Sequence, residues 1–84
     1  MSTNQKIFFD IMSGLKDKNI SFADLQKILA ILDFQCRIKG DHFIYYKNDL
    51  PEIINIQPDG TKAKPYQVKQ IRNLILKYKL EVLK

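Results

Sequence analysis

The chain is poor in the residue types that build several common kinds of active site. Its 84 residues include one cysteine, Cys36, one histidine, His42, and three widely separated glycines. A single cysteine has no intramolecular disulfide partner, and one cysteine with one histidine cannot supply the three or four ligands of a zinc site. Three scattered glycines cannot form a loop that cradles a phosphate. No metal or cofactor is therefore expected.

Long apolar runs are also missing. No stretch is long enough to cross a membrane, and the N-terminal region lacks the basic, apolar and small-residue segments of a secretory signal. We therefore expect a cytoplasmic protein with no membrane partner. Residues 1–84 suffice for one modest core and are too few for two, which predicts a single domain. Within it, Cys36 is expected to be a small buried hydrophobe.

Carboxylates are scarce in the last part of the chain. Residues 1–60 carry seven Lys or Arg against eight Asp or Glu, whereas residues 61–84 carry seven basic residues against Glu81 alone. This asymmetry favours a polyanionic partner, with nucleic acid first and an acidic protein or membrane surface second. A solvated basic helix face is the alternative interpretation.

Apolar residues recur at helical spacing in three segments. The first predicts a helix over about Asn4–Ser13. The second predicts a helix over Phe22–Asp33, which the pair Ser21 and Asp24 would cap. The third begins at Pro65, a residue favoured at the first helical position. Its predicted apolar face comprises Val68, Ile71, Ile75, Tyr78 and Val82, and its polar face Lys69, Arg72, Asn73 and Lys77.

Three short runs between the second and third helices have strand character. Phe34–Lys39 alternates apolar with polar or basic residues, His42–Lys47 follows a turn, and Ile53–Gln57 forms the third run. Pro58–Gly60 is a turn signal that would open a mobile basic loop ending at Lys64. Short connections predict an antiparallel meander and an α+β fold of order α-α-β-β-β-α. Residues 21–79 would form its core unit, and residues 1–18 an additional helix and connection.

His42 is the residue around which chemistry can be built. An imidazole exchanges protons near neutral pH, and Arg37, Lys39 and Lys47 surround this one with cations. Metal-free RNA cleavage takes its nucleophile from the substrate, as the ribose 2′-hydroxyl. The protein then supplies only a proton acceptor or donor and cations for the developing phosphate charge. A half-buried structural histidine is the competing interpretation.

The run Lys39–Tyr45, reading Lys-Gly-Asp-His-Phe-Ile-Tyr, is similar to the Gly-Ser-His-His-x-Phe/Tyr run of the HicA family of bacterial toxins. The proline at Gln57-Pro58 and the closing helix rich in Lys and Ile also agree, so the resemblance covers about residues 21–79. It implies a double-stranded-RNA-binding-like α-β-β-β-α fold. It also implies mRNA cleavage by a histidine, a chain that is monomeric when free, and inhibition by a HicB-type antitoxin.

This chain departs from the family pattern at two positions. Where the family often has paired histidines, Phe43 follows His42, so only His42 can inherit the catalytic role. Asp59 stands where the family commonly has a histidine after the proline. Strand alternation leaves open which face His42 occupies, because either Ile44 with Tyr46 or Phe43 with Tyr45 could be the inward pair.

The predicted site therefore has one catalytic residue and a set of RNA contacts. Tyr45 and Tyr46 are further candidates for stacking on an unpaired base, although core packing is expected for at least one of them. Two other functions stay open: a non-catalytic RNA-binding module that uses Lys69, Arg72 and Lys77, and an interaction domain whose first helix docks on a partner. The catalytic residue is His42, and the proposed RNA contacts are Arg37, Lys39, Gly40, Lys47, Lys62 and Lys64.

Overall fold

A computed structural model describes residues 3–82. Three α-helices and a three-stranded antiparallel sheet form an α+β fold, which confirms the predicted order of an extra helix followed by α-β-β-β-α. Within the described residues no helix is long and apolar enough to span a bilayer. The elements are α1 (Thr3–Ser13), a 3₁₀ turn (Asp17–Asn19), α2 (Phe22–Ile31), β1 (Gln35–Lys39), β2 (His42–Tyr46), β3 (Ile54–Ile56), β4 (Pro58–Asp59), β5 (Lys62–Ala63) and α3 (Pro65–Tyr78).

The helix ends follow local chemistry. The Ser21 hydroxyl oxygen accepts a 3.0 Å hydrogen bond from the Asp24 backbone N–H, which confirms the predicted cap of α2. The helix ends at Ile31, two residues before the predicted end, because Asp33 turns into a left-handed conformation with a φ of 69°. Helix α3 ends similarly at Lys79, with a φ of 53°. Val82 therefore lies outside α3, contrary to prediction, although it is buried.

The sheet order is β1-β2-β3, and a tight hairpin joins the first two strands. Lys39 pairs with His42, so the loop consists of Gly40 and Asp41 alone. Gly40 has a φ of 62° and Asp41 does not have a positive φ, which is the pattern of a type II′ turn with glycine first. A side chain at Gly40 would be strained there, so the glycine sets the hairpin register and places His42 at the start of β2.

Helix packing decides which way β2 faces. Tyr45 is 4 % exposed, and the Phe43 ring meets Phe22 of α2 edge-on at 5.1 Å between ring centroids. Phe43 and Tyr45 are therefore the inward pair, a question that alternation left open. His42, Ile44 and Tyr46 consequently face outward, on the side of the sheet away from α2.

One core connects all three helices with the inner sheet face. Ile7 and Ile11 of α1 are buried in the same cluster as the apolar residues of α2, β3 and α3. The predicted partner-binding face of α1 is thus largely occupied within the chain. The fully buried residues of greatest volume are Ile11, Leu25, Ile28, Leu29, Ile54, Ile56, Val68 and Ile71.

Two predictions about the sheet region are wrong. Residues 58–63 form the paired hairpin β4–β5, not a mobile loop, and Ser21 makes an additional bridge to Lys62. Cys36 is exposed rather than buried. The alternation that suggested burial is real, but β1 is an edge strand and every one of its residues is exposed.

Candidate active site on the outer sheet face

His42 lies at the first position of β2 on the outer sheet face, and 46 % of its side chain is exposed. Its position follows from the type II′ turn before it and from the burial of Phe43 and Tyr45 beside it. The imidazole is therefore reachable from solvent and is not a core residue. At this exposure, and with contacts to Asn55 and Gln57, the ring also fits the competing interpretation of a half-buried structural histidine.

Two side chains, Asn55 in β3 and Gln57 directly after it, indicate where the proton lies on the His42 ring. The Gln57 amide nitrogen lies 3.3 Å from an Asp41 carboxylate oxygen and 3.3 Å from His42 Nε2. Because that amide nitrogen is a donor, His42 Nε2 is the acceptor in the neutral ring. The proton then sits on Nδ1, which donates to Asn55 Oδ1 at 3.1 Å. In this tautomer the Nε2 lone pair accepts from the Gln57 amide, so a substrate hydroxyl would have to replace that amide before His42 could act as a general base.

Asp41 lies next to the same nitrogen. Its Oδ1 is 3.7 Å from His42 Nε2, which is an ion-pair distance once the ring is protonated. The Asp41 side chain is 74 % exposed, so the interaction is screened by water. The other Asp41 carboxylate oxygen accepts from the Gln57 amide, so Asp41 and Gln57 lie together at His42 Nε2.

Two of the predicted cations share the outer face with His42. Lys39 is directly opposite His42 across the hairpin, and Arg37 is opposite Ile44 one step further along. The Arg37 guanidinium lies over the Tyr46 ring, 5.7 Å from its centroid. Within residues 3–82, neither cation has a carboxylate partner. Their charge is available to an anion that approaches the face.

The other predicted contacts are arranged differently. Lys47 lies 3.6 Å from Asp49 in an ion pair, and Lys62 donates to Asn19 Oδ1 at 3.4 Å. Lys64 precedes α3 as its N-cap residue, and Gly40 forms the turn. The structure therefore groups Arg37 and Lys39 with His42, and does not join Lys47, Lys62 or Lys64 to that group by any contact among the described residues.

The two tyrosines of β2 have different environments. Tyr45 is in the core, as expected for one of the pair, and cannot stack on a base. Burial raises its pKa to about 12; Cys36 adds to this rise and Gln26 opposes it. Tyr46 is half-buried on the outer face beneath Arg37, so it remains the only candidate stacking surface of the two.

Three side chains that contact or support the His42 group were not predicted from the sequence, namely Asn55, Gln57 and Gln67. Asn55 is flanked in β3 by Ile54 and Ile56, which are buried, so the alternation itself marks it as an outward polar residue. No comparable local signal identifies Gln57 or Gln67, because their roles depend on which strand and helix they meet.

Gln67 is the one buried polar residue among those described, with 2 % exposure. Its side-chain amide donates to the Gln57 carbonyl oxygen and accepts from the Gln57 backbone N–H, both at 3.3 Å. The opposite amide orientation offers one contact of 3.5 Å to the Asn55 carbonyl oxygen, so the two-bond orientation is preferred. Helix α3 thereby holds the backbone of the residue whose side chain meets His42.

Two of the three cations of α3, Arg72 and Lys77, form ion pairs with carboxylates. Arg72 donates to both Asp17 carboxylate oxygens, at 2.8 and 3.1 Å, and to the Ile11 carbonyl oxygen at 3.1 Å. Hydrogen bonding to Asp17 raises the pKa of Arg72. Lys77 donates to Glu52 at 2.8 Å. Of the three cations in the RNA-binding alternative, only Lys69 is without an ion-pair partner among residues 3–82, which weakens that alternative.

Metal-ligand geometry is not present in this region. Among residues 3–82 no three His, Cys, Asp or Glu side chains come together in a metal-binding group. Comparison of the chain with family models, with curated proteins and with solved structures finds no match.

Proposed function

We propose that this protein is a metal-independent endoribonuclease in which His42 acts as the general base. The observation that carries the proposal is the His42 ring itself: Asn55 holds Nδ1–H, Gln57 and Asp41 lie at Nε2, and the ring shares its sheet face with Lys39 and Arg37, which have no carboxylate partner among residues 3–82. RNA cleavage needs this combination because its substrate supplies the nucleophile and carries the negative charge.

The proposed reaction begins when the 2′-hydroxyl of RNA takes the place of the Gln57 amide at His42 Nε2. The nitrogen accepts the hydroxyl proton while the 2′-oxygen attacks the adjacent phosphorus. The phosphorus–5′-oxygen bond then breaks, and the 5′-oxygen takes up a proton returned by the imidazolium. The products are a 2′,3′-cyclic phosphate and a 5′-hydroxyl end.

Lys39 and Arg37 would stabilise the charge that develops on the phosphoryl oxygens, and Asp41 the imidazolium. Tyr46 offers an aromatic surface for a neighbouring unpaired base. Lys47, Lys62 and Lys64 would contribute as longer-range phosphate contacts, and Gly40 by allowing close approach at the turn. Acid–base help of this kind is worth about 10²–10⁴-fold in rate.

The biological setting is proposed from the resemblance to HicA toxins. In that setting the substrate is mRNA in the cytoplasm, the free chain is a monomer, and a HicB-type antitoxin covers the site. The order of elements supports the resemblance. Expression of the chain should then arrest growth, and His42→Ala should relieve the arrest while leaving the folded structure intact.

The direct test uses purified protein and a short single-stranded RNA in buffer with a metal chelator. We expect cleavage to a 2′,3′-cyclic phosphate end, and a rate lower by about 10²–10⁴-fold in His42→Ala. The matched control is the same RNA with one 2′-deoxy sugar at the cleaved position, which should resist the parent protein. Equal cleavage by the parent and His42→Ala, or cleavage of the deoxy substrate, would refute the mechanism.

A further inference from the structure

The two edges of the three-stranded sheet differ in how far the rest of the chain covers their backbone groups. Beyond β3, the Gln67 side chain occupies the backbone N–H and carbonyl oxygen of Gln57. Strand β1 is the outermost strand on the opposite side, and all five of its residues are exposed. An exposed edge presents backbone donors and acceptors that can pair with another strand.

The hairpin geometry identifies which groups of β1 point outward from the edge. In a two-residue hairpin the residues flanking the turn, Lys39 and His42, form a hydrogen-bonded pair. Hydrogen-bonded and non-hydrogen-bonded pairs alternate along an antiparallel ladder, so the pair Arg37 and Ile44, two positions further on, is also hydrogen-bonded. The N–H and carbonyl groups of Cys36 and Ile38 consequently point away from β2, toward the open edge.

The side chains of β1 give this edge two chemically distinct faces. Arg37 and Lys39 lie on the outer face with no carboxylate partner among residues 3–82. Cys36 and Ile38 lie on the inner face, where both are exposed and Ile38 reaches 63 %. A strand paired here would therefore place alternate residues against cations and against an uncovered aliphatic side chain.

From this we propose that β1 is a docking site for an antiparallel strand of a partner protein in which acidic and aliphatic residues alternate. Main-chain hydrogen bonds to Cys36 and Ile38 would supply affinity, and carboxylates opposite Arg37 and Lys39 would supply selectivity.

A second copy of this chain fits the edge poorly. Antiparallel self-pairing over the whole of β1 opposes Arg37 to Arg37 of the other copy, and centring the pair on Ile38 opposes Arg37 to Lys39. Like charges directly opposite one another destabilise a strand pair. Arg37 and Lys39 attract an acidic strand and repel a basic one, and they gain no charge attraction from a neutral one. The edge therefore favours an acidic partner over indiscriminate strand pairing.

The test uses the full chain and two blocked peptides of equal length, one alternating glutamate with valine and the other lysine with valine. We expect the acidic peptide to bind and to slow the hydrogen exchange of the Cys36 and Ile38 amides, and the basic peptide not to bind. Ile38→Pro removes one edge-facing N–H without removing a β1–β2 bond, and should weaken binding about three- to tenfold. Ile38→Val, which keeps the N–H, is its matched control.

A second variant keeps the test independent of the proline substitution. Arg37→Glu combined with Lys39→Glu retains every backbone donor and should reverse the preference, so that the basic peptide binds. The proposal is overturned by any of three results: neither peptide binds, both bind equally, or the chain alone dimerises with protection of the same two amides. Since these are binding measurements, their outcome is separate from that of the cleavage assay.

Discussion

Two regions of this protein use their cations in opposite ways. On the outer sheet face, Lys39 and Arg37 stand beside His42 without a carboxylate partner among the described residues. On the flank where α3 meets the turn after α1, Arg72 is only 15 % exposed and binds both oxygens of Asp17. Two cations of the basic C-terminal part, Arg72 and Lys77, are thus engaged in ion pairs, while the proposed function rests on two cations from the nearly neutral part.

The lesson is that charge counted along a sequence does not measure charge available to a partner. A guanidinium held by a carboxylate has already exchanged its hydration for an internal contact, and its field outside the molecule is nearly cancelled. Substitutions that remove one cation from each region should separate stability from activity.

The largest effect is expected from Arg72→Met. This change leaves the Asp17 carboxylate and the Ile11 carbonyl oxygen without their partner, and both are partly withdrawn from water. The free energy of unfolding should fall by about 2 kcal/mol, less than for a fully buried pair because solvent still reaches the site. Urea denaturation followed by circular dichroism measures it. A loss indistinguishable from that of Lys69→Met would contradict the structural role assigned to Arg72.

Lys39→Met should lower the rate of RNA cleavage and leave the stability of the fold nearly unchanged. Stability should change little, because Lys39 is exposed and has no ion-pair partner among residues 3–82. The rate of RNA cleavage should fall by about tenfold, since one cation near the phosphate is lost at a solvent-exposed site. Lys69→Met removes the same charge from an exposed position in α3 and serves as the control. Equal cleavage rates for Lys39→Met and Lys69→Met would contradict the role assigned to Lys39.

Alkaline pH should weaken the fold through Tyr45. Its folded pKa is about 12 against about 10 in the unfolded chain, so its contribution is fully present below pH 10 and is lost as the pH rises toward 12. We expect about 1 kcal/mol, less than the full shift would give, because Cys36 beside the hydroxyl is exposed. Denaturation midpoints of the parent and Tyr45→Phe between pH 9 and pH 12 measure it. Parallel curves for the two proteins would refute this role.

The smallest effect concerns Glu52. Hydrogen bonds from Lys77 and Tyr78 lower its pKa, so its contribution is present above the ordinary glutamate pKa and is lost as the pH falls through the lowered value. Glu52→Gln should therefore flatten the acid side of the stability profile slightly. Thermal melts between pH 6 and pH 3 measure the slope, and a steeper acid loss in the variant would show that the sign is wrong.

The sequence predicts the order of elements well because each has strong local signals. The Ser21 cap, the glycine at the hairpin turn and the proline at the start of α3 act over a few residues and do not depend on distant packing. Local signals do not predict the outward position of His42, because both faces of β2 carry apolar side chains. It depends on Phe43 meeting Phe22, a contact made across the core.

The errors and omissions have the same origin. Cys36 alternates like a core residue, yet no element covers the inner face at the edge of the sheet. Arg72 looks like a surface cation until Asp17, far away in the sequence, is placed beside it. Asn55 and Gln57 matter only because β3 pairs with β2 and brings their amides to the imidazole.

The bond from Arg72 to the Ile11 carbonyl oxygen joins residues 61 positions apart. During synthesis the residues of α1 leave the ribosome well before Arg72, their anchor in α3, does. Until then Ile7 and Ile11 have only part of their final surroundings, and α3 has not yet covered the sheet. Residues 3–82 therefore cannot complete their fold until the residues of α3 have left the ribosome.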